Sequence, residues 1–121
     1  MTRLSTHVRQ GEIYRVRMPL GSARSRRAFL IVSRQEFIEA SYSSVVCVPV
    51  YSNANGVESE VAIGVAEGLA HPSFLRCDEV TSIAKSRLLD YVGSLGDRAQ
   101  GRVRRALATA LGILPEDIAD L

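Results

Sequence analysis

Lysine is almost missing from this chain. Of its 15 basic residues only Lys85 is a lysine and the other fourteen are arginine. Cysteine is also scarce, and Cys47 and Cys77 lack the spacing of metal ligands, so two reduced and buried thiols are expected. No stretch approaches the ~20 apolar residues a membrane-crossing helix needs. Residues 1–10 are polar and basic without the apolar middle of a signal peptide, so a cytoplasmic protein without a membrane contact is expected. Repeats and low-complexity tracts are absent too. The 121 residues read as one domain, with a core over 10–113, a leader over 1–9 and a loosely held acidic tail over 114–121.

The net charge of +2 is too small to mark a nucleic-acid binder by itself, but its distribution is uneven. Arginines gather at 24–27 and again at 98–105. The first group sits in residues 20–34, LGSARSRRAFLIVSR, where a loop of Gly, Ser and Arg runs into an apolar strand. Arg24, Arg26 and Arg27 are therefore held at the mouth of a rigid element. A guanidinium is a planar, permanently charged fork that matches phosphate oxygens, which a merely solubilising charge need not be. The alternative is a solvated hairpin tip.

Hydrophobic periodicity predicts mostly strands followed by a helix. Tyr14, Val16 and Met18 alternate with Arg15 and Arg17, ending at Pro19, and residues 27–33 form a continuous apolar run expected to be central and covered on both faces. Residues 34–40 read as one or two helical turns. SSVVCVPVY at 43–51 is a strand whose Pro49 predicts an edge or a bulge, because proline cannot donate to a ladder. Residues 57–65, 74–83 and 90–95 read as further strands, with Leu75, Cys77, Glu79, Thr81 and Ile83 on one face of the second. Residues 85–88 read as a short helical turn. From Arg98 to Leu111, Val103, Ala106, Leu107, Ala110 and Leu111 recur at helical spacing, with Gly112 as the stop. This order predicts a small curled antiparallel sheet with a helix packed on it, mainly β within the α+β class.

Four segments in order resemble the MazF/PemK toxins, the endoribonucleases of bacterial toxin–antitoxin systems. QGEIYRV at 10–16 is similar to the family's G-[DE]-[IV], RAFLIVSR at 27–34 to R-P-x-L-V-V-S, and VPVYSN at 48–53 to V-P-[LI]-T-S-N. CDEVTSIAKSRLLDYVGSLGDRA at 77–99 is similar to D-Q-[IV]-R-[TS]-[IV]-x-K-x-R-[LI]-x-x-x-[IV]-G-x-[LV]-[ST]. The resemblance implies an SH3-like barrel with a C-terminal helix, a homodimer, and single-stranded RNA cut along a groove. It implies no metal or other cofactor, attack by the RNA's own 2′-hydroxyl, and a 2′,3′-cyclic phosphate product. An acidic, partly disordered antitoxin would block the groove.

The family's key arginine falls on Arg27, and its threonine falls on Tyr51 with Ser52 beside it, so catalytic roles are expected of Arg27 and of Tyr51 or Ser52. RNA contacts are expected of Arg24, Arg26, Asn53, Glu79, Thr81 and Lys85. The chain departs from the family pattern at Ala28, Tyr51, Glu79 and Thr81, and carries Ala23 and Arg24 where some members have an acidic loop residue. His7 and His71 have the right chemistry for proton transfer but lie outside the matched segments. Asp78 and Glu79 are adjacent on an expected strand and so point to opposite faces. The alternatives are a CcdB-like binding protein of the same fold, without cleavage and directed at gyrase or RNA, and a module binding an acidic partner.

Overall fold

The computed structural model describes residues 8–18 and 26–119. Seven strands appear in chain order: β1 (Glu12–Arg17), β2 (Arg26–Ile31), β3 (Ser44–Tyr51), β4 (Glu60–Ile63), β5 (Ser73–Arg76), β6 (Thr81–Ala84) and β7 (Leu88–Ser94). Helix α1 (Gln35–Glu39) links β2 to β3, and α2 (Asp97–Ala110) and the short α3 (Pro115–Ala119) follow the sheet. The pairing is antiparallel throughout, in the order β4-β5-β3-β2-β1-β7, with β6 also against β3. The result is the small SH3-like barrel with a C-terminal helix that the resemblance implies.

Strand β2 is central, as its unbroken apolar run predicts. Leu30 faces a core shared with Ile13, Val48 and Leu75 and closed by Ala99, Val103 and Ala106 of α2. Phe29 and Ile31 face a second core with Tyr14, Val45 and Ile38 of α1. A strand covered on both faces has no solvated side on which to place polar residues. In β1, by contrast, Tyr14 and Val16 are buried while Arg15 and Arg17 are exposed, following the period of two.

Two expectations are corrected. Pro49 is neither at an edge nor in a bulge: it is buried inside β3, opposite Phe29 of β2. On its other side the partner of β3 changes, from β6 up to Cys47 to β5 from Val50 onward. The missing N–H thus falls at a junction between ladders. The second correction follows from the first. Residues 74–83 are not one strand but β5 and β6, separated by a 3₁₀ turn over Cys77–Glu79. No Gly or Pro marks this break. Tertiary bonds hold it: Ser59 Oγ donates to Asp78, the Cys77 N–H to the Ser59 carbonyl, and the Tyr51 hydroxyl to Glu79.

Helix α2 buries Ala99, Val103 and Ala106, and ends at Gly112 with φ of +69°. The Ile113 N–H bonds the Ala108 carbonyl and the Gly112 N–H that of Thr109, a left-handed closure available to glycine. Leu111, expected on the apolar stripe, lies in this closing turn and is exposed. Residues 65–67 form a 3₁₀ turn that leads into the loop before β5 and lies against β7. A Cβ on Gly93 would stand 2.0 Å from the Glu67 carbonyl oxygen and 2.9 Å from the Gly68 Cα.

Gly93→Ala should therefore destabilise the fold by roughly 2 kcal/mol, the scale of an overpacked contact. Gly101→Ala, in α2 with no heavy atom nearer than 3.8 Å, should shift stability the other way by about 0.5–1 kcal/mol. Urea midpoints of the two variants check the pair.

Candidate active site

The coiling of the sheet carries the head of β2, the end of β3 and the start of β5 to one rim. There the cleft is lined by Arg15, Arg27, Ala28, Val50, Tyr51, Ser52, Leu69, Ala70, His71 and Ser73. Arg27 is fixed in two ways. Its Nη1 donates to the Val50 carbonyl at 3.2 Å, and its guanidinium carbon lies 4.3 Å from the centre of the Tyr51 ring. Arg76 of β5 places its guanidinium 3.6 Å from the same ring centre. Both are well inside the about 6 Å over which a cation is drawn to an aromatic face. Tyr51 thus takes a cation from each neighbouring strand.

The Tyr51 hydroxyl is committed as well. It donates to Glu79 Oε1 at 2.5 Å, and the other carboxylate oxygen of Glu79 lies 3.6 Å from Arg76 Nη1. Arg76 Nη2 reaches the Asn53 carbonyl at 3.4 Å, while its buried Nε has no partner among the described residues. Hydrogen bonding to Glu79 holds the Tyr51 phenol above its ordinary pKa, helped by desolvation and the Glu79 charge and opposed by Arg27 and Arg76. A phenol held protonated is a poor proton acceptor. Ser52 also lines the cleft, and its hydroxyl has no hydrogen-bond partner among the described residues.

The other expected RNA contacts are scattered. Glu79 and Asn53 join the Tyr51 network through its side chain and carbonyl respectively. Thr81 is exposed on β6 beyond the 3₁₀ turn. Lys85 is further away, with Nζ bonded to the Ile38 carbonyl at 2.8 Å and the Ala40 carbonyl at 3.4 Å. It closes the C-terminal end of α1 and is not gathered with Arg27. Arg24, His7 and the side chain of Arg26 lie outside the described residues. Asp78 and Glu79, on a turn and not on a strand, have separate partners, Ser59 and Tyr51.

Sequence reasoning missed Arg15 and Arg76, and it set His71 apart from the site that holds it. Arg15 is the exposed member of the β1 alternation, opposite Ala28, and that register was the available signal. Nothing in the sequence marked Arg76, because its role depends on the break after β5. The thiols are inert: burial pushes Cys47 up to about 12, and burial with the neighbouring Asp78 charge pushes Cys77 up to about 11. Both are free and buried, as expected. No helix among the described residues is long and apolar enough to cross a membrane.

A small antiparallel barrel with arginines and a serine hydroxyl in a cleft at its rim is suited to holding a phosphodiester. Residues 9–111 match the PemK-like, MazF-like toxin of type II toxin–antitoxin systems, and the chain belongs to this family. It is 27% identical over 104 residues to the Endoribonuclease MazF1 of Mycobacterium bovis and, to the same degree, to the Endoribonuclease MazF4 of Mycobacterium tuberculosis, spanning 86% of this chain and 92% of each relative. A solved endoribonuclease in complex with its cognate antitoxin, from a mycobacterial species, superposes with a TM-score of 0.76 at 27% identity, over 88% of this chain and 97% of that one. A MazE–MazF complex from Deinococcus radiodurans shares the fold at 19% identity with a TM-score of 0.67, over 88% of this chain and 95% of that one.

An alkaline titration followed at 295 nm should show Tyr51 ionising above the ordinary tyrosine range of about 10. Glu79→Gln removes the negative charge and leaves only a neutral, weaker acceptor, so the Tyr51 transition should move down; an unmoved transition would mean that the Glu79 carboxylate does not govern it.

Proposed function

We infer that this chain is an endoribonuclease toxin that grips a phosphodiester of single-stranded RNA on Arg27, acts in the cytoplasm where that RNA lies, and is neutralised by a cognate antitoxin. Membership of the PemK/MazF family supports the activity and the partner. The observation that carries the site is the anchoring of Arg27, whose guanidinium is held between the Val50 carbonyl and the Tyr51 ring at the cleft.

Cleavage begins with attack of the 2′-hydroxyl on the adjacent phosphorus, which crowds negative charge onto the non-bridging oxygens. A guanidinium fixed before the charge develops stabilises it without reorganising, as an oxyanion hole does. Arg27 supplies that charge, with Arg15 nearby to draw the RNA backbone in. Ser52 takes the hydroxyl role that the family gives to threonine, because the Tyr51 hydroxyl is already bonded to Glu79. Tyr51 serves as the platform that aims Arg27. The products are a 2′,3′-cyclic phosphate and a 5′-hydroxyl.

An acidic, partly disordered antitoxin segment fits a cleft of this charge, and covering Arg27 would block the phosphate seat. The chain pairs with a second copy of itself, and the exposed Leu111, Ile113, Leu114 and Ile118 near the C-terminus offer apolar surface for such a contact.

Freed of antitoxin, the protein should cut a long mixed-sequence single-stranded RNA and leave cyclic phosphate ends. Arg27→Ala should slow single-turnover cleavage by roughly two to three decades with the fold intact by circular dichroism. Ser52→Ala should slow it by at least about tenfold, the rate value of a single neutral hydrogen bond of about 1.4 kcal/mol. Binding of RNA without products would favour a non-cutting, CcdB-like protein instead.

A further inference from the structure

Attack by a 2′-hydroxyl requires a group that takes its proton, and the residues at the cleft narrow the choice. Arginine stays protonated throughout the working pH range and a serine hydroxyl is not a base near neutrality. Tyr51 donates its proton to Glu79 and is held in the protonated form. Leu69, Ala70, Ala28 and Val50 carry no titratable group, and no carboxylate lines the cleft among the described residues. His71 remains. Imidazole is the side chain whose ordinary titration lies between pH 5 and 8, where proton transfer is most effective.

The loop that carries His71 is seated. Gly68 lies against the Val92 carbonyl and Gly93, and its N–H bonds the Val65 carbonyl. Ser73 Oγ donates to the His71 carbonyl at 3.0 Å, and His71 Nδ1 lies 3.4 Å from the Pro72 carbonyl oxygen. With the proton on Nδ1 facing that carbonyl, Nε2 is an acceptor. The ring is exposed and lines the same cleft as Arg27 and Ser52. Among the described residues, the charged and titratable groups sharing the cleft with it are Arg15 from β1, Arg27 from β2 and Tyr51 from β3.

We propose that His71 is the general base of the reaction, a residue outside every segment that carries the family resemblance. The proposal rests on the endoribonuclease reading. His71 Nε2 takes the 2′-hydroxyl proton while the 2′-oxygen bonds to phosphorus and the P–O5′ bond breaks. The O5′ leaves with a proton from solvent, and the imidazolium returns its own proton to solvent. Arg27 holds the non-bridging oxygens throughout.

The test is single-turnover cleavage of a long mixed-sequence RNA, at saturating enzyme, between pH 5 and 8.5. The wild type should rise from the acid side to a plateau. His71→Ala should lose about two to four decades at the plateau, the usual contribution of general acid–base catalysis, and should lose the acidic limb as well. Added imidazole should restore part of the rate. His71→Gln, which keeps a polar side chain but cannot titrate, should behave like the alanine variant. Binding of a fully 2′-O-methylated RNA should stay within about twofold, which separates proton transfer from RNA affinity. A His71→Ala enzyme with an unchanged plateau overturns the assignment alone. So does a slowed enzyme that keeps the wild-type acidic limb and ignores imidazole. A wild type that cuts no RNA overturns the endoribonuclease reading and this assignment with it.

Discussion

Strand β3 has two different neighbours on one side, and the rest of the architecture follows from that. Its first half pairs with β6 and its end with β5, while β2 runs along the opposite side. A flat sheet cannot give one strand two successive partners along the same edge without a turn between them. The 3₁₀ turn over Cys77–Glu79 is that turn, and Pro49, lacking an N–H to donate, sits where the ladder changes hands. The coil it introduces brings Arg27, Tyr51 and Arg76 from three strands to one rim.

The site uses one aromatic ring for two jobs. Its face takes a guanidinium from each neighbouring strand, and its hydroxyl is bound to a carboxylate that also lies beside one of those cations. Opposite charges and a polarisable ring hold one another in place, so a flexible arginine side chain becomes a directed one. Tyr51, where the resembled motif has threonine, therefore commits its hydroxyl to Glu79 while its ring supports Arg27. Ser52, the next residue along, lines the cleft with a hydroxyl that has no hydrogen-bond partner among the described residues.

Much of this was legible from sequence because it depends on near neighbours in the chain. The apolar run after Arg27 could only be satisfied with cover on both faces, which put the arginine at the head of a central strand. The helical stripe through Val103 and Ala106 and the stop at Gly112 were equally local signals. Lys85 illustrates the opposite case. Its place in a matched segment was legible but its surroundings were not: the fold brings α1 within reach and sets the ammonium against two backbone carbonyls 47 and 45 residues away.

The sequence by itself determined the class of fold, the central strand and the place of Arg27 at the head of that strand, since periodicity and the order of motifs are properties of the chain. Only the tertiary structure decided which side chains share the cleft. Arg15 and His71 reach it from a separate strand and a loop, Arg76 meets the Tyr51 ring from β5, and no spacing rule links them. The break between β5 and β6 was invisible for the same reason: it is enforced by bonds to Ser59 and Tyr51, residues 19 and 28 positions distant, and not by any turn-forming residue at the break.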